Sequence, residues 1–521
     1  MIVMANDYKI LWADDEIDLL KPHILFLKAK GYDVETANNG ADALDAVEMR
    51  HFDMVILDEN MPGLTGLETL QRIKVISPSL PVVMITKSEE ENIMDMAVGS
   101  KIADYLIKPV NPNQILLSIK KILHSSKLVS EGSTTTYRRN FASIGDAIDR
   151  ASTIADWMEL YRTLVHWEMQ LENADTAMAQ ILEQQKREAD VAFGKFVKRN
   201  YSRWIGGDDA SGPLMSPRLV REKLLPLLDG GEKVFLLIID NFRLDQWRAI
   251  SPLLAEDFIV DDDSLYCSIL PTATQYARNA IFSGLMPSEI KRRYPDLWVE
   301  EESEESKNPN EAALLQLQFE RLRRRYRFSY NKINDSASAE DFLRDFSSLG
   351  GNDLNVVVLN FIDMLSHART ESKMIRELAA NNAAYRSLTE SWFRHSKALD
   401  IFRAIASKGC KIVLTSDHGT IRVANPVKVT GDRNTNTNLR YKTGRNLKYD
   451  PSEVFRMARP DEFGLPASGI MTEYIFAAGD DFFVYPNNSN HYSRYYDGTF
   501  QHGGISLEEM LVPVITLDPR K

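Results

Sequence analysis

Two sets of side chains stand out because their types, and their places along the chain, suit phosphorus and metal chemistry. In the first, short apolar runs lead to Asp14, Asp58, Thr86 and Lys108. An acyl phosphate on a carboxylate needs a divalent ion to offset charge and further carboxylates to hold it. It also needs a hydroxyl to meet the new oxygens and a lysine to counter them. Asp58, the pair Asp14-Asp15, Thr86 and Lys108 supply each of these. The second set is Asp240 after VFLLII, Thr272 in LPTATQ, Asp363 and His367 in FIDMLSH, Asp417-His418 in TSDHG and His502 in QHGG. Three carboxylates, three imidazoles and one hydroxyl favour zinc or manganese over calcium and are enough for two ions. Asp363 and His367 stand four residues apart, so one turn of helix or a tight loop presents both to one ion.

The elements that must position these groups follow from periodicity. Residues 8 to 125 alternate strands (YKILWA, YDVETA, MVILD, PVVMIT, DYLIK) with helices at 17–30 and near 40–50, 66–76, 90–99 and 112–125. That alternation predicts a parallel sheet covered on both faces, with the polar run ends at its carboxyl edge, where open α/β sheets bind ligands. Residues 140 to 204 read as helix throughout, and Trp157, Leu160, Leu164 and Trp167 recur at the spacing of a small bundle. A second α/β pattern starts at Val234, with VFLLIID, LYCSILP, NVVVLNF and KIVLTSD as expected central parallel strands. VEEESEESK near 299–307 reads as a solvated loop and RLRRRYRF near 321–328 as a basic helix face. The division expected is 1–127, 128–205 and 206–521.

Composition narrows the function classes. The 521 residues carry a net charge of -12, which argues against a DNA-coating protein. Residues 140–204 lack the basic recognition stretch of a helix-turn-helix, so no sequence-specific DNA binding is expected. Cys267 and Cys410 are far apart with no partner at metal spacing and read as reduced core thiols. His166, His395 and His491 read as ordinary structural histidines. MIVMANDYKILW lacks a signal-type apolar region and no long apolar run follows, so the expected location is the cytoplasm.

The first set resembles the receiver family of two-component response regulators. The resemblance implies a CheY-like (flavodoxin-like) α/β fold, Asp58 as phosphoacceptor, and Thr86 and Tyr105 as switch residues. It also implies Lys108 before a cis proline, and Mg²⁺ held by Asp15, Asp58 and the Asn60 carbonyl, with Asp14 acting through water. The second set resembles the alkaline phosphatase superfamily, in particular its PglZ branch, over nearly all of 230–516. That resemblance implies one zinc on Asp240, Thr272, Asp417 and His418, a second on Asp363, His367 and His502, and Thr272 as nucleophile. Asn279 is expected to help bind a phosphate oxygen. A receiver, an all-α helical connector and a PglZ-type domain on one chain resemble the response regulators of type IX secretion in Bacteroidetes. This implies a histidine kinase phosphodonor, an extracytoplasmic-function sigma factor and a secretion motor component as partners. It further implies a phosphorylation-linked homodimer and phosphodiesterase action on nucleotide or oligonucleotide messengers. The rival expectation is a non-catalytic signalling scaffold with structural zinc.

Overall fold

The computed structural model describes the chain except for residues 1–7, 78–79, 87–101, 124, 173–175, 207–211, 302, 304–307, 372–380, 433–434, 470, 488 and 521. The side chains of 18, 105, 107, 121, 125–136, 138, 176–177 and 367–371 are likewise outside it. The helix expected near 90–99 therefore lies outside the described residues. Two compact units result, Met1–Thr135 and Thr136–Lys521.

In the first unit β1 (Lys9–Ala13), β2 (Asp33–Ala37), β3 (Met54–Asp58), β4 (Val82–Thr86) and β5 (Asp104–Ile107) form one sheet in the order β2-β1-β3-β4-β5. All four pairings are parallel. Helices α1 (Lys21–Ala29), α2 (Gly40–Met49), α3 (Gly66–Ile76) and α4 (Pro112–Leu123) connect them. β3 and β4 are buried along their whole length, which is why they read as unbroken apolar runs. The strand order reverses between β1 and β3, which opens a crevice beyond their carboxyl ends. Asp14 and Asp58 lie there. Thr65 caps α3 through a capping box with Glu68, and Gly66 lets that helix start close to the acceptor strand. A Cβ at Gly66 would stand 2.4 Å from the Asp58 carbonyl oxygen.

The helical segment comprises α5 (Ser125–Arg150), α6 (Ile154–Gln170) and α7 (Thr176–Ile205). It is interrupted rather than continuous, because Thr153 and Asp156 form a capping box that starts α6 afresh. Trp157 packs on Phe193 and Phe196 at 5.5 and 5.8 Å, and Tyr137 on Trp167 at 5.4 Å. These residues belong to the same contiguous core as the α/β domain that follows, so the helices are built into that domain.

The α/β domain is organised on a six-stranded sheet of order β7-β13-β10-β6-β9-β8. Its strands are β6 (Val234–Ile239), β7 (Phe258–Cys267), β8 (Phe328–Ile333), β9 (Leu354–Leu359), β10 (Lys411–Thr415) and β13 (Leu511–Pro519). β8, β9, β6 and β10 are mutually parallel, whereas β13 is antiparallel to both β10 and β7. The expectation that LYCSILP is a central parallel strand is thus corrected. It ends an edge strand paired antiparallel, consistent with the half-exposed FIVDDDS that precedes it. The pair β11 (Ile421–Arg422) and β12 (Phe500–Gln501) lies beyond the carboxyl edge. Two other sequence readings also change. After α8 (Leu244–Ile250) and α9 (Thr274–Ser283), α10 (Glu311–Arg321) closes at Arg321 and β8 opens at Phe328, so 321–328 is a helix-to-strand connection rather than a basic helix face. Glu301, expected in a solvated loop, accepts hydrogen bonds from Tyr276, Tyr441 and Asn436. Cys267 and Cys410 are buried and free. Among the described residues no helix is long and apolar enough to cross a membrane.

Trp157 is 1% exposed at the centre of the shared core, so Trp157→Ala should cost about 3–5 kcal/mol. Denaturant unfolding followed by far-UV circular dichroism should show the helices and the α/β domain lost in one earlier transition. Two separated transitions would contradict a shared core.

Candidate functional site

In the first unit the ligating oxygens of Asp14, Asp15 and Asp58 lie within 4.8 Å of one another. Asp14 and Asp58 are buried at the strand ends and Asp15 is exposed. Lys108, after β5, puts its Nζ 2.8 Å from Asp14 Oδ2 and 2.9 Å from Asp58 Oδ1, following a cis Lys108–Pro109 bond. Burial raises the pKa of Asp58, and the lysine only partly offsets it. The same two carboxylates overcome the burial of Lys108 and raise its pKa. Thr86 ends β4, fully buried, and its carbonyl accepts from the Lys108 N–H at 2.7 Å. Asn60 is exposed two residues past Asp58. The Tyr105 side chain lies outside the described residues. Three carboxylates beside one half-buried lysine fit a hard divalent cation such as Mg²⁺.

The second site follows from strand register. Ile238 of β6 stands beside Thr415 of β10, so Asp240 and Asp417, each two residues further on, leave the sheet side by side. At the spacing of adjacent strands their carboxylates must meet. Asp240, Asp417 and His418 are all buried, with ligating atoms within 4.8 Å of one another. His418 Nε2 is 3.8 Å from Asp240 Oδ1 and 3.9 Å from Asp417 Oδ2. Its Nδ1 lies 3.0 Å from the Gly419 carbonyl. That contact assigns the proton to Nδ1 and leaves the Nε2 lone pair facing the carboxylates. Among the described residues Asp417 Oδ2 has no hydrogen-bond donor. Burial, then the charge of Asp417, pushes the Asp240 pKa up to about 7. Burial likewise raises Asp417 and lowers His418. A buried carboxylate oxygen without a donor, beside a second carboxylate and an imidazole with one nitrogen pinned, fits a divalent N/O-liganded cation.

Asp363 sits in the first turn of α11 (Phe361–Glu371), which follows β9. His502, just past β12, has its Nε2 3.8 Å from Asp363 Oδ1. Its ring stacks on that of His418 with centroids 4.3 Å apart, so Asp363 and His502 adjoin the first cluster. Asn241 joins them, its Nδ2 donating to Asp363 Oδ1 at 3.3 Å and its N–H to Asp417 Oδ1 at 3.4 Å. It does so with φ of 64°, the left-handed conformation that asparagine tolerates and that collects at functional sites. His367 lies on α11, and its side chain is outside the described residues.

Two expectations are corrected. Thr272 does not face the cluster. Its hydroxyl is fully buried, donates to the Gly504 carbonyl at 2.9 Å and accepts from the Gly503 N–H at 3.0 Å. The hydroxyl at the cluster belongs to Thr274, the first residue of α9 (Thr274–Ser283). Its Oγ1 is 3.1 Å from His418 Nε2 and 3.4 Å from Asp240 Oδ1. Asn279 does not reach the site either, because it is buried within α9 and its Nδ2 donates to the Gln275 carbonyl at 2.9 Å. The cation that sequence reading missed is Arg278, one helical turn after Thr274 and so on the same face. Its Nη1 is 2.7 Å from Asp240 Oδ2 and 3.8 Å from Asp417 Oδ2, while Glu311 of α10 (Glu311–Arg321) holds its Nε at 2.5 Å. The helical spacing from a threonine at a helix start was the signal available for it.

Three segments of the chain match known families. Residues 219–517, more than half of the chain, match the family model for the BREX system PglZ alkaline phosphatase-like domain. Residues 127–205 match the PorX response regulator linker domain, and 10–120 the response regulator receiver domain. The transcriptional regulatory protein ZraR of Klebsiella oxytoca is 35% identical over 26% of this chain and 31% of its own length. The CpxR homolog of Haemophilus influenzae is 39% identical over 23% of this chain and 51% of its own. The chain thus spans about a third to a half of the length of these curated relatives. The chemotaxis protein CheY4 of Vibrio cholerae is 30% identical, covers 22% of this chain and 98% of its own, and superposes with a TM-score of 0.22. A receiver takes its phosphoryl group from a phosphodonor such as a histidine kinase.

Zinc added to chelator-treated protein should raise its unfolding free energy, by about 2.7 kcal/mol at a hundredfold excess over Kd. Asp240→Asn and His418→Ala should each lose most of that increment in a thermal-shift titration. An equal increment in all three proteins would place the ion elsewhere.

Proposed function

This chain belongs to the PglZ alkaline phosphatase-like family, in the receiver, linker and PglZ order of a PorX-type response regulator, and from that premise we propose a phosphorylation-controlled, zinc-dependent phosphodiesterase. Its substrates are nucleotide or oligonucleotide phosphodiesters. The observation that carries the reading is the Thr274 hydroxyl at the start of a helix, within hydrogen-bond reach of a buried Asp240–Asp417–His418 cluster. A hydroxyl serves little purpose in a structural site, whereas the start of a helix favours negative charge on it and on a bound phosphate.

Asp240, Asp417 and His418 would hold one ion and Asp363, His502 and His367 the other. Zinc there lowers the pKa of a coordinated hydroxyl and offsets charge on phosphate oxygens. Thr274 Oγ1 loses its proton to solvent and attacks phosphorus in line. The bond from phosphorus to the leaving alcohol breaks, and that oxygen takes a proton. Water then cleaves the bond between phosphorus and Thr274, restoring the hydroxyl. Arg278, held by Glu311, keeps the buried carboxylates from being uncompensated throughout. Phosphorylation of Asp58 draws on Thr86, Tyr105 and Lys108, remakes the outer face of the receiver and favours a homodimer. In the cell the donor would be a histidine kinase and the output would act in type IX secretion. An extracytoplasmic-function sigma factor and a secretion motor component would be its partners.

Hydrolysis of bis(p-nitrophenyl) phosphate and of the matched monoester by zinc-loaded protein tests the reading. Thr274→Ala should lower kcat by at least about 1,000-fold without losing metal. Thr272→Ala should keep turnover within a few-fold while losing about 1–2 kcal/mol of stability from its two buried hydrogen bonds. Acetyl phosphate should change the rate of wild type and not that of Asp58→Asn. Zinc binding with neither ester cleaved would leave a signalling scaffold instead.

A further inference from the structure

Each segment that bears a described ligand of the second site meets the side chain of Arg243, three residues past Asp240, either directly or through one aromatic ring. Its Nη1 donates to the Thr420 carbonyl at 3.3 Å, two residues beyond His418. Its guanidinium lies 5.3 Å from the ring centroid of Phe500, two residues before His502, and 5.6 Å from that of Tyr385. Those rings stack at 4.3 Å, and the Tyr385 hydroxyl donates to the carbonyl of Ile362, next to Asp363, at 3.2 Å. One fully buried cation therefore sits beside the chain within three residues of the ligands 240, 418 and 502 and, through the Tyr385 ring, of 363.

The charges behind Arg243 lead to the linker helices. Asp245 takes both its Nε and Nη2, at 2.9 and 2.7 Å. Burial works to raise the Asp245 pKa, but Arg243 and Arg386 override it and hold it at about 2. Arg386, on α12 (Asn382–His395), reaches Asp245 Oδ2 at 3.1 Å and Glu168 Oε1 of α6 at 3.3 Å. Lys186 of α7 binds Glu168 at 2.7 Å and Glu508 at 3.1 Å. The backbone carbonyl of Glu508 presses on Gly419, where a Cβ would stand 2.0 Å from its oxygen. The linker thus grips the His418 loop from two sides. A buried chain of this kind contributes little net stability, since desolvation consumes the Coulombic gain, but it fixes one geometry.

We propose that Arg243 is a positioning residue through which α6 and α7 of the linker set the geometry of the metal-bearing loops, so that the linker is part of the switch that tunes this site. The inference rests on the metal-site reading given above. It assigns a task to the fusion of linker and output in one core, and it offers the linker a route to the site that avoids the ligands themselves. Arg243→Lys keeps the charge but cannot span Asp245, Asn382 and Thr420 with one ammonium.

The test uses full-length protein and zinc alone as the probe, with affinity read by chelator competition and stability by thermal unfolding of the zinc-free protein. Wild type is compared with Arg243→Lys, Glu168→Gln, Lys186→Met and the Arg243→Lys/Glu168→Gln double variant. Arg243→Lys should weaken zinc binding by about 10- to 100-fold, the range for residues that orient ligands. Glu168→Gln and Lys186→Met should weaken it several-fold, and the double variant by less than the product of the single effects. Diester hydrolysis should return at saturating zinc. If Arg243→Lys fails to fold, the two linker variants, which touch no ligand, carry the test. Unchanged zinc affinity with only a lowered unfolding temperature would make the network merely structural and overturn the inference. Wild type that binds no zinc would instead remove the metal-site reading on which it rests.

Discussion

Asp240 and Asp417 are driven together by the register of two neighbouring parallel strands, and neither can reach bulk water. Like charges that close in a low-dielectric interior repel strongly unless a cation stands with them. Much of the α/β domain can be understood as an answer to that constraint. Arg278 is aimed at both carboxylates from the first turns of α9 and is itself held by Glu311. Asn241 accepts a left-handed backbone to donate toward Asp417 and Asp363. His418 turns a bare nitrogen inward by giving its other one to a carbonyl. A divalent ion between the two carboxylates would complete the balance.

The receiver solves the same problem on a smaller scale. Asp14 and Asp58 end adjacent strands of a parallel sheet, and Lys108 bridges them at 2.8 and 2.9 Å. In both units the acids are delivered by strand ends at the carboxyl edge, which is where a parallel sheet leaves side chains free of its ladder. The units differ in what surrounds the acids. Asp15 leaves the receiver site open to solvent, as phosphoryl exchange with another protein requires. The second cluster is enclosed, which suits hydrolysis of a bound ester.

The strands were legible wherever they are buried on both faces, because VFLLII, NVVVL and KIVLT have no second reading. Asp240 and the Asp417-His418 pair were legible because they follow such runs, whereas Asp363 and His502 were legible only as members of the set, one in the first turn of a helix and the other beside glycine. LYCSILP misled because its apolar end belongs to an edge strand whose earlier half is polar. Thr272 and Thr274 could not be told apart from residue types, since which hydroxyl faces the acids depends on where the helix begins. Here α9 begins at Thr274. Arg278 was missed for the same reason: neighbours on a helix point about 100° apart, so the residue beside Asn279, not Asn279 itself, is the one turned to the acids. The chain of charges from Lys186 to Arg243 was invisible in sequence, since its members come from helices distant along the chain and each reads alone as a surface charge.

The most direct test of the central claim, that these acids exist to hold a pair of ions beside Thr274, is anomalous diffraction at the zinc edge from crystals of the zinc-loaded protein. Two peaks about 3.5–4 Å apart are predicted, one bounded by Asp240, Asp417 and His418 and the other by Asp363 and His502, with Thr274 Oγ1 nearest the first. No peak at the cluster, with Arg278 still seated on Asp240, would mean that the arginine alone balances the acids and that no metal chemistry takes place there.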